Sequence, residues 1–163
     1  MFLIKVKKLH QEAKVPVFAH DTDSGADLFV VEPLRLKPGQ KGIAKTGIAI
    51  ALPEGFGAAI RNKSGNTVKG VLVDVLAPSF VNDSYDIIKE RVDIFVHLGT
   101  IDNAYRGEVG IMVQNNSKHL VEIPKGTKLA QLVLEKIYQE EFEVVEELDD
   151  TDRGEGGFGS TGH

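Results

Sequence analysis

Ten short β-rich runs, separated by turn-forming residues, constrain the fold of this chain more than any other feature. The turns contain Pro, Gly and Asn, as in "KPGQ", "LPEGFG", "NNSK" and "IPKG". Many short strands at nearly regular spacing indicate an all-β sandwich or barrel. The predicted strands cover 2–9, 26–31, 42–51, 56–61, 70–76, 92–98, 108–113, 119–123, 128–137 and 142–146.

One stretch, 82–91, has a helical pattern instead. Asn82 or Asp83 could cap its first turn, and Tyr85, Ile88 and Val92 would then share one face. The sequence therefore predicts one short helix in an otherwise all-β chain.

Composition places the chain among globular proteins. Its 163 residues are 42% apolar and 26% charged, which suits a single domain that we expect to span 1–150. The start, "MFLIKVKKLH", alternates like a strand and lacks the apolar stretch of a signal peptide. The chain has no cysteine, which excludes disulfides and thiolate metal sites. We therefore expect a cytoplasmic protein that does not act at a membrane.

The net charge of −5 is concentrated near the C-terminus. Residues 140–152 carry eight acidic side chains and no basic one. A general nucleic-acid-binding protein presents a basic face, so nucleic acid is not an expected partner. An anionic substrate would need locally placed lysine or arginine, or a metal ion.

The glycine-rich tail, 151–163, matches G-x-G-x-x-G, yet no helix follows to make a dinucleotide site. One alternative is a plain disordered tail. The other is a mobile arm that closes over a nucleotide, because guanidinium groups bind phosphate, aromatic rings stack on bases, and hydroxyl and glycine N–H groups hold anions. The residues for this second role are Arg153, Phe158, Gly159, Ser160 and Thr161.

Two further stretches point to anion chemistry. In "DSGADLFV", Asp27 lies between Ala and Leu as the chain enters a strand, which turn formation alone does not explain. In "RNKSGNTVKG", basic residues surround Ser64-Gly65; the P-loop pattern fails because Val71 stands where its lysine must be. This loop is equally well explained as a phosphate site or as a solvated basic turn.

Two other stretches place polar residues in strands. "GTIDNAYRGEVGIMV" predicts a β-hairpin, with Asp102 either a turn residue or a rigidly held base, and Tyr105 beside it. "GTKLAQLVLEKI" predicts a strand in which Gln131 needs a hydrogen-bond partner. The five histidines show no metal-binding spacing.

Taken in order, "DSGADL", "KSGNTVKG", "GTIDNAYRGE", "GTKLAQLVL" and "RGEGGFGSTG" resemble the five motifs of the trimeric dUTPase family. The resemblance implies a jelly-roll-like β-fold of the β-clip type, a homotrimer, and active sites between subunits. It also implies Mg²⁺-dependent hydrolysis of dUTP to dUMP and pyrophosphate, which limits uracil in DNA and supplies dUMP for thymidylate synthesis.

The resemblance also implies roles for the residues of these motifs. Asp102 would activate water, Tyr105 would pack against deoxyribose, and the backbone from Gly99 to Met112 would read uracil. Ser64, Gly65 and Gln131 would hold phosphates. Lys63 stands where the family usually has arginine, and lysine keeps the charge but loses the bidentate geometry. Asp27 would act through structure or a metal-bound water, with Mg²⁺ held mainly by substrate phosphates and water.

For the arm, the resemblance implies closure from a neighbouring subunit. Arg153 would bind the γ-phosphate, Phe158 would cover uracil, and Ser160 and Thr161 would bind terminal phosphates.

Residues 74–96 depart from the family, because Ser64 and Asp102 lie farther apart than usual. This segment is interpreted as an insertion, either a longer β excursion with the short helix or a surface for a protein partner. Two other functions remain open: a deaminase acting on dCTP with the same fold, and a regulatory nucleotide-binding protein.

Overall fold

The computed structural model describes residues 3–79 and 84–156, and within them the chain is almost entirely β. One helix, α1, covers Ser64–Lys69. The strands are β1 Lys5–Lys8, β2 Gly25–Phe29, β3 Leu34–Leu36, β4 Lys41–Ala51, β5 Phe56–Asn62, β6 Val71–Pro78, β7 Tyr85–Val92, β8 Ile94–Val96, β9 Gly99–Ile101, β10 Glu108–Asn115, β11 Val121–Ile123 and β12 Lys128–Lys136.

These strands form three antiparallel four-stranded sheets. Their orders are β1-β4-β10-β8, β3-β11-β6-β7 and β2-β12-β5-β9. Neighbours in a sheet are mostly distant in sequence, as in a jelly roll, and not a series of simple hairpins. The predicted all-β fold class is confirmed.

All three sheets contribute to one apolar core. In β10, Val109, Ile111 and Val113 are buried, whereas Met112 between them is 42% exposed. This is the two-residue alternation of a strand with one covered face. It leaves the outward face of β10 available for a site or a contact.

The prediction of a helix at 82–91 is wrong. Its described part is strand β7, which pairs along its whole length with β6. Ile87 and Ile88 are β-branched and fit this strand template, and long-range pairing overrides a weak helical spacing. The helix lies instead in the Ser64-Gly65 stretch, which was predicted as a loop. Among the described residues, no helix is long and apolar enough to cross a membrane.

Two strand predictions also need correction. Residues 142–146 form no strand: Phe142 is 95% exposed and Val144 is 100% exposed, with no neighbouring strand to pair with. The proposed hairpin at 99–113 is not a hairpin ladder, because β9 pairs with β5 whereas β10 pairs with β4 and β8. The chain crosses between two sheets at this corner.

Candidate active site

A cleft of about 510 Å³ opens where β5 ends and α1 begins. It unites three residues that the sequence separates widely, namely Lys63, Ser64 and Gln131. Antiparallel pairing explains this convergence, because β12 places Gln131 opposite Asp27 on β2 and opposite Arg61 on β5. The lining residues are Ala19, His20, Asp23, Ser24, Gly25, Arg61, Asn62, Lys63, Ser64, Gln131 and Val133.

Helix α1 is held in place from both ends. The Asn66 side-chain amide donates to the carbonyls of Lys128 (3.1 Å) and Leu129 (3.2 Å), which ties the helix to β12. Gly70 ends the helix at φ 76°, and a Cβ there would lie 2.9 Å from the carbonyl oxygen of Val92. Glycine is therefore required at this position both by its φ and by the close approach of β7.

Gly25, which lines the cleft, and Gly65, which follows the lining residue Ser64, differ in what surrounds them. A Cβ on Gly25 would lie 3.0 Å from Cβ of Gln131, so this glycine lets the Gln131 side chain lie across β2. A Cβ on Gly65 would meet no atom within 4 Å, and its φ is not in the left-handed region. Packing of the described residues therefore does not explain Gly65, whereas close approach of a ligand would.

Asp27 lies beneath the cleft and is 2% exposed. Lys63 Nζ donates to its Oδ1, and Lys128 Nζ lies 3.0 Å from its Oδ2. Burial alone would raise the pKa of Asp27, but the hydrogen bonds and charges of the two lysines outweigh burial and lower that pKa. The carboxylate is thus ionised and paired through both oxygens.

The described residues do not form a metal cage. Among residues 3–79 and 84–156, no group of three or more His, Asp and Glu side chains lies close enough to hold an ion. Asp27 directs both oxygens to lysines, so a direct bond from it to Mg²⁺ does not fit. Any Mg²⁺ here would be held by substrate phosphates and water.

Asp102 lies at the opposite end of β5 from Lys63. Strand β9 runs antiparallel to β5, with Gly99 opposite Ile60 and Ile101 opposite Ala58, so Asp102 lies level with Gly57 near the start of β5. Strand β5 has seven residues. At about 3.3 Å per residue, Lys63 and Asp102 of one chain lie roughly 20 Å apart along the strand.

The corner that contains Asp102 is rigid. The Asn103 side-chain amide donates to the carbonyls of Pro53 (2.6 Å) and Phe56 (2.8 Å), which anchors the corner to the turn before β5. The Tyr105 hydroxyl donates to the carbonyl of Glu108 at 3.0 Å, and its ring lies over Gly107, where a Cβ would overlap it. Asp102 is exposed, and no described side chain bonds its carboxylate.

Gly99 and Met112 lie beside this corner. The backbone N–H of His97 donates to the carbonyl of Met112 at 2.9 Å, and a Cβ on Gly99 would lie 3.6 Å from Cε of Met112. A groove of about 470 Å³ adjoins them and is lined also by Ile43 and Leu98.

The arm is described only in part. Arg153 is exposed, and its Nε donates to the carbonyl of Gly156 at 2.8 Å within a local turn. Phe158, Gly159, Ser160 and Thr161 lie outside the described residues.

Sequence reasoning missed several residues of the cleft. The Oδ1 of Asn62 is buried and has no hydrogen-bond partner among the described residues, so it can accept a bond from substrate or water. His20, which lies 3.3 Å from Asp23 at the cleft margin, was also missed, whereas Arg61, which pairs with Glu135, belongs to the basic stretch that the sequence singled out. Lys128, which lies outside this cleft, was also missed as a partner of Asp27. Only charge near Ser64 was a usable signal in the sequence, since the pairing of Lys128 with Asp27 depends on tertiary structure.

The sequence profile of the dUTPase family matches residues 11–85 and 89–162. The chain is 39% identical to the deoxyuridine 5'-triphosphate nucleotidohydrolase of Alkaliphilus metalliredigens, over 99% of both chains.

Solved structures agree with the sequence matches. The structure of a mutant dUTPase of Staphylococcus bacteriophage 80alpha with dUpNHpp gives a TM-score of 0.80 at 28% identity, over 99% of both chains. A mutant dUTPase from S. aureus phage phi11 gives 0.71 at 26% identity, over 91% of this chain and 99% of that one. The latter structure is described as showing the coordination of a structural Mg(II) ion.

Proposed function

This chain is a member of the dUTPase family, and we propose that it hydrolyses dUTP to dUMP and pyrophosphate by the residues described above. The main support is that the fold brings Lys63, Ser64 and Gln131 together in one cleft and holds the Asp102 corner by hydrogen bonds from Asn103. The reaction supplies dUMP and removes dUTP from the pool used for DNA synthesis.

Asp102 is the proposed general base. Its carboxylate is exposed on a corner that Asn103 holds, so it can accept a proton from a water that attacks the α-phosphorus. Phosphoryl transfer depends mainly on positioning and charge stabilisation, which favours such a rigid arrangement. Tyr105 packs against the deoxyribose and leaves no room for a 2'-hydroxyl, while the Gly99 and Met112 backbone reads the uracil edge.

The triphosphate occupies the cleft at the other end of β5. Lys63 supplies positive charge, Ser64 and the Gly65 backbone donate hydrogen bonds, and Gln131 lies beside the α-phosphate. Open space at Gly65 and the unpaired acceptor of Asn62 support occupation of this cleft by a ligand.

The distance between the two ends supports a site shared between copies, as in the proposed homotrimer. Because Asp102 and Ser64 of one chain lie roughly 20 Å apart along β5, one copy cannot place both on the same phosphate. A site that joins the cleft of one copy to the corner of another removes this difficulty.

Mg²⁺ is the proposed metal, held by the phosphates and water and not by a protein cage. When bound, it neutralises phosphate charge. The arm, 151–163, closes over the bound nucleotide from a neighbouring copy, with Arg153 and Phe158 as its main contacts. A cytoplasmic location remains a prediction.

A pyrophosphate-release assay with Mg²⁺ tests the function directly. We expect strong preference for dUTP over UTP, dTTP and dCTP, and no ammonia from dCTP. Ammonia release from dCTP would support the deaminase alternative, and no pyrophosphate from any of the four nucleotides would contradict hydrolysis. The arm is tested by proteolysis: a non-hydrolysable dUTP analogue should protect the last dozen residues or so, and equal cleavage with and without it would contradict closure.

A protein partner for 74–96 also remains a prediction. The segment includes most of β6 and all of β7 and β8, and Val75, Val92, Ile94 and Val96 are buried, so deleting it would disrupt the core. Ile87→Lys tests the surface without disrupting the core, since Ile87 is 65% exposed on an edge strand. Loss of a partner with unchanged hydrolysis would support a surface role.

A further inference from the structure

One buried carboxylate is shared by two lysines beneath the candidate phosphate cleft. Lys63 bonds Oδ1 of Asp27, and Lys128 lies 3.0 Å from Oδ2. The cluster therefore holds two positive charges against one negative charge. Structural pairing of Asp27 requires only one counterion, so the second lysine needs its own explanation.

The two lysines face different surroundings. The Lys63 side chain is 20% exposed and lines the cleft with Ser64 and Gln131. The Lys128 side chain is 53% exposed and lines a different cleft, together with Arg91 and Lys125. The contact that joins Lys128 to the phosphate cleft is thus its ion pair with Asp27.

A phosphate in the cleft competes with Asp27 for Lys63. An ammonium group has three N–H donors, and Asp27 occupies one of them. As Lys63 turns toward the phosphate, its attraction to Asp27 weakens, and a buried carboxylate that loses its counterion is strongly destabilised. A second counterion removes much of this penalty.

We propose that Lys128 is a positioning residue that neutralises Asp27 while Lys63 directs its charge to the substrate phosphates. This inference rests on the proposed function, since it assigns the phosphates of dUTP to the Lys63 cleft. The Lys128 carbonyl that accepts from Asn66 belongs to the backbone, so a side-chain substitution leaves the attachment of α1 intact.

The first experiment compares Lys128→Gln with Lys125→Gln in the full-length protein. Lys125 lies in the turn just before β12, lines the same cleft as Lys128 and pairs with exposed Glu12, so it is a matched control for removing one positive charge. We expect K128Q to raise KM for dUTP, and Kd for its imido analogue, about 10-fold with kcat nearly unchanged. K125Q should leave all three constants at the wild-type value. Equal constants for K128Q and K125Q would overturn the proposal.

A double-mutant cycle then tests whether Lys128 acts through Lys63. If it does, K63Q/K128Q should bind the analogue no more weakly than K63Q alone, within about twofold. Fold-changes that multiply would mean that Lys128 acts on the phosphates independently, and would overturn the proposal.

Lys128→Arg covers the case in which K128Q does not fold. Because it keeps a cation beside Asp27, we expect a wild-type KM, and K63Q/K128R should match K63Q. A KM for K128R raised as far as that of K63Q would contradict the proposal. Failure of the wild type to release pyrophosphate from dUTP would instead refute the proposed function, so the two failures are distinguishable.

Discussion

The carboxylates at the two ends of β5 have opposite electrostatic environments. At the Lys63 end, a carboxylate is 2% exposed and fully paired with lysines. At the other end, the Asp102 carboxylate is exposed and has no described side-chain partner. A paired, buried charge stabilises a position, whereas an open carboxylate remains available for proton transfer. The difference favours the proposed supporting role for Asp27 and the proposed role of Asp102 as the base.

The largest expected effect is from Asp102→Asn. Loss of a general base should lower kcat about 10²- to 10⁴-fold, with the melting temperature unchanged because the side chain is exposed. Pyrophosphate release and thermal unfolding measure the two quantities. An unchanged kcat would show that Asp102 is not the base.

Mixing two inactive variants tests whether the Ser64 cleft of one copy and the Asp102 corner of another form one active site. Asp102→Asn and Ser64→Ala should each be inactive, yet after unfolding and refolding together about a quarter of the sites would contain both intact ends. Recovery of activity is expected. If the mixture stays as inactive as its components, each site is built within one chain.

Asp27→Asn should destabilise the protein by about 2–4 kcal/mol at neutral pH, because two lysines lose a buried counterion. The folded pKa of Asp27 is lowered, so its ionised form stabilises the fold at pH above the unfolded value near 3.8. This contribution is lost as pH falls through the folded pKa, so the gap between wild type and variant should narrow on acidification. Urea unfolding from pH 7 to pH 3 measures the difference in free energy of unfolding between wild type and variant. Glu12→Gln, which removes the carboxylate of an exposed ion pair, is the control.

Substitutions of Gly25, in the cleft, and Gly65, next to it, should change stability in opposite directions and by the smallest amounts. Gly25→Ala forces Cβ against Gln131 and should cost about 1–3 kcal/mol. Gly65→Ala has open space in a helix and should stabilise the fold by about 0.5–1 kcal/mol while raising KM for dUTP. Thermal unfolding and steady-state kinetics on both variants check this. A normal KM for Gly65→Ala would remove the argument that ligand approach explains this glycine.

Many residues of the candidate site could be proposed from local patterns. Lys63, Ser64, Gln131 and Asp102 stood out because a basic glycine-containing stretch, a polar residue inside a strand and a carboxylate at a corner are local signals. The second partner of Asp27 was not predictable, since Lys128 is far away in sequence and its ion pair depends on how β2 and β12 align.

The errors have the same origin. The spacing of Tyr85, Ile88 and Val92 suited a helix, but β6 offered eight residues of pairing, and a strand resulted. The β-rich residues at 142–146 suited a strand, but no described strand lies beside them.

The sequence by itself determined the all-β class, the family and most of the residues to test, because side-chain periodicity, turn chemistry and motif order are properties of the linear chain. Tertiary structure alone decided that Asp27 is shared by two lysines and that Asp102 lies roughly 20 Å from Ser64 along β5. Strand register and sheet order create these relations, and they join residues whose distance in sequence says nothing of their distance in space.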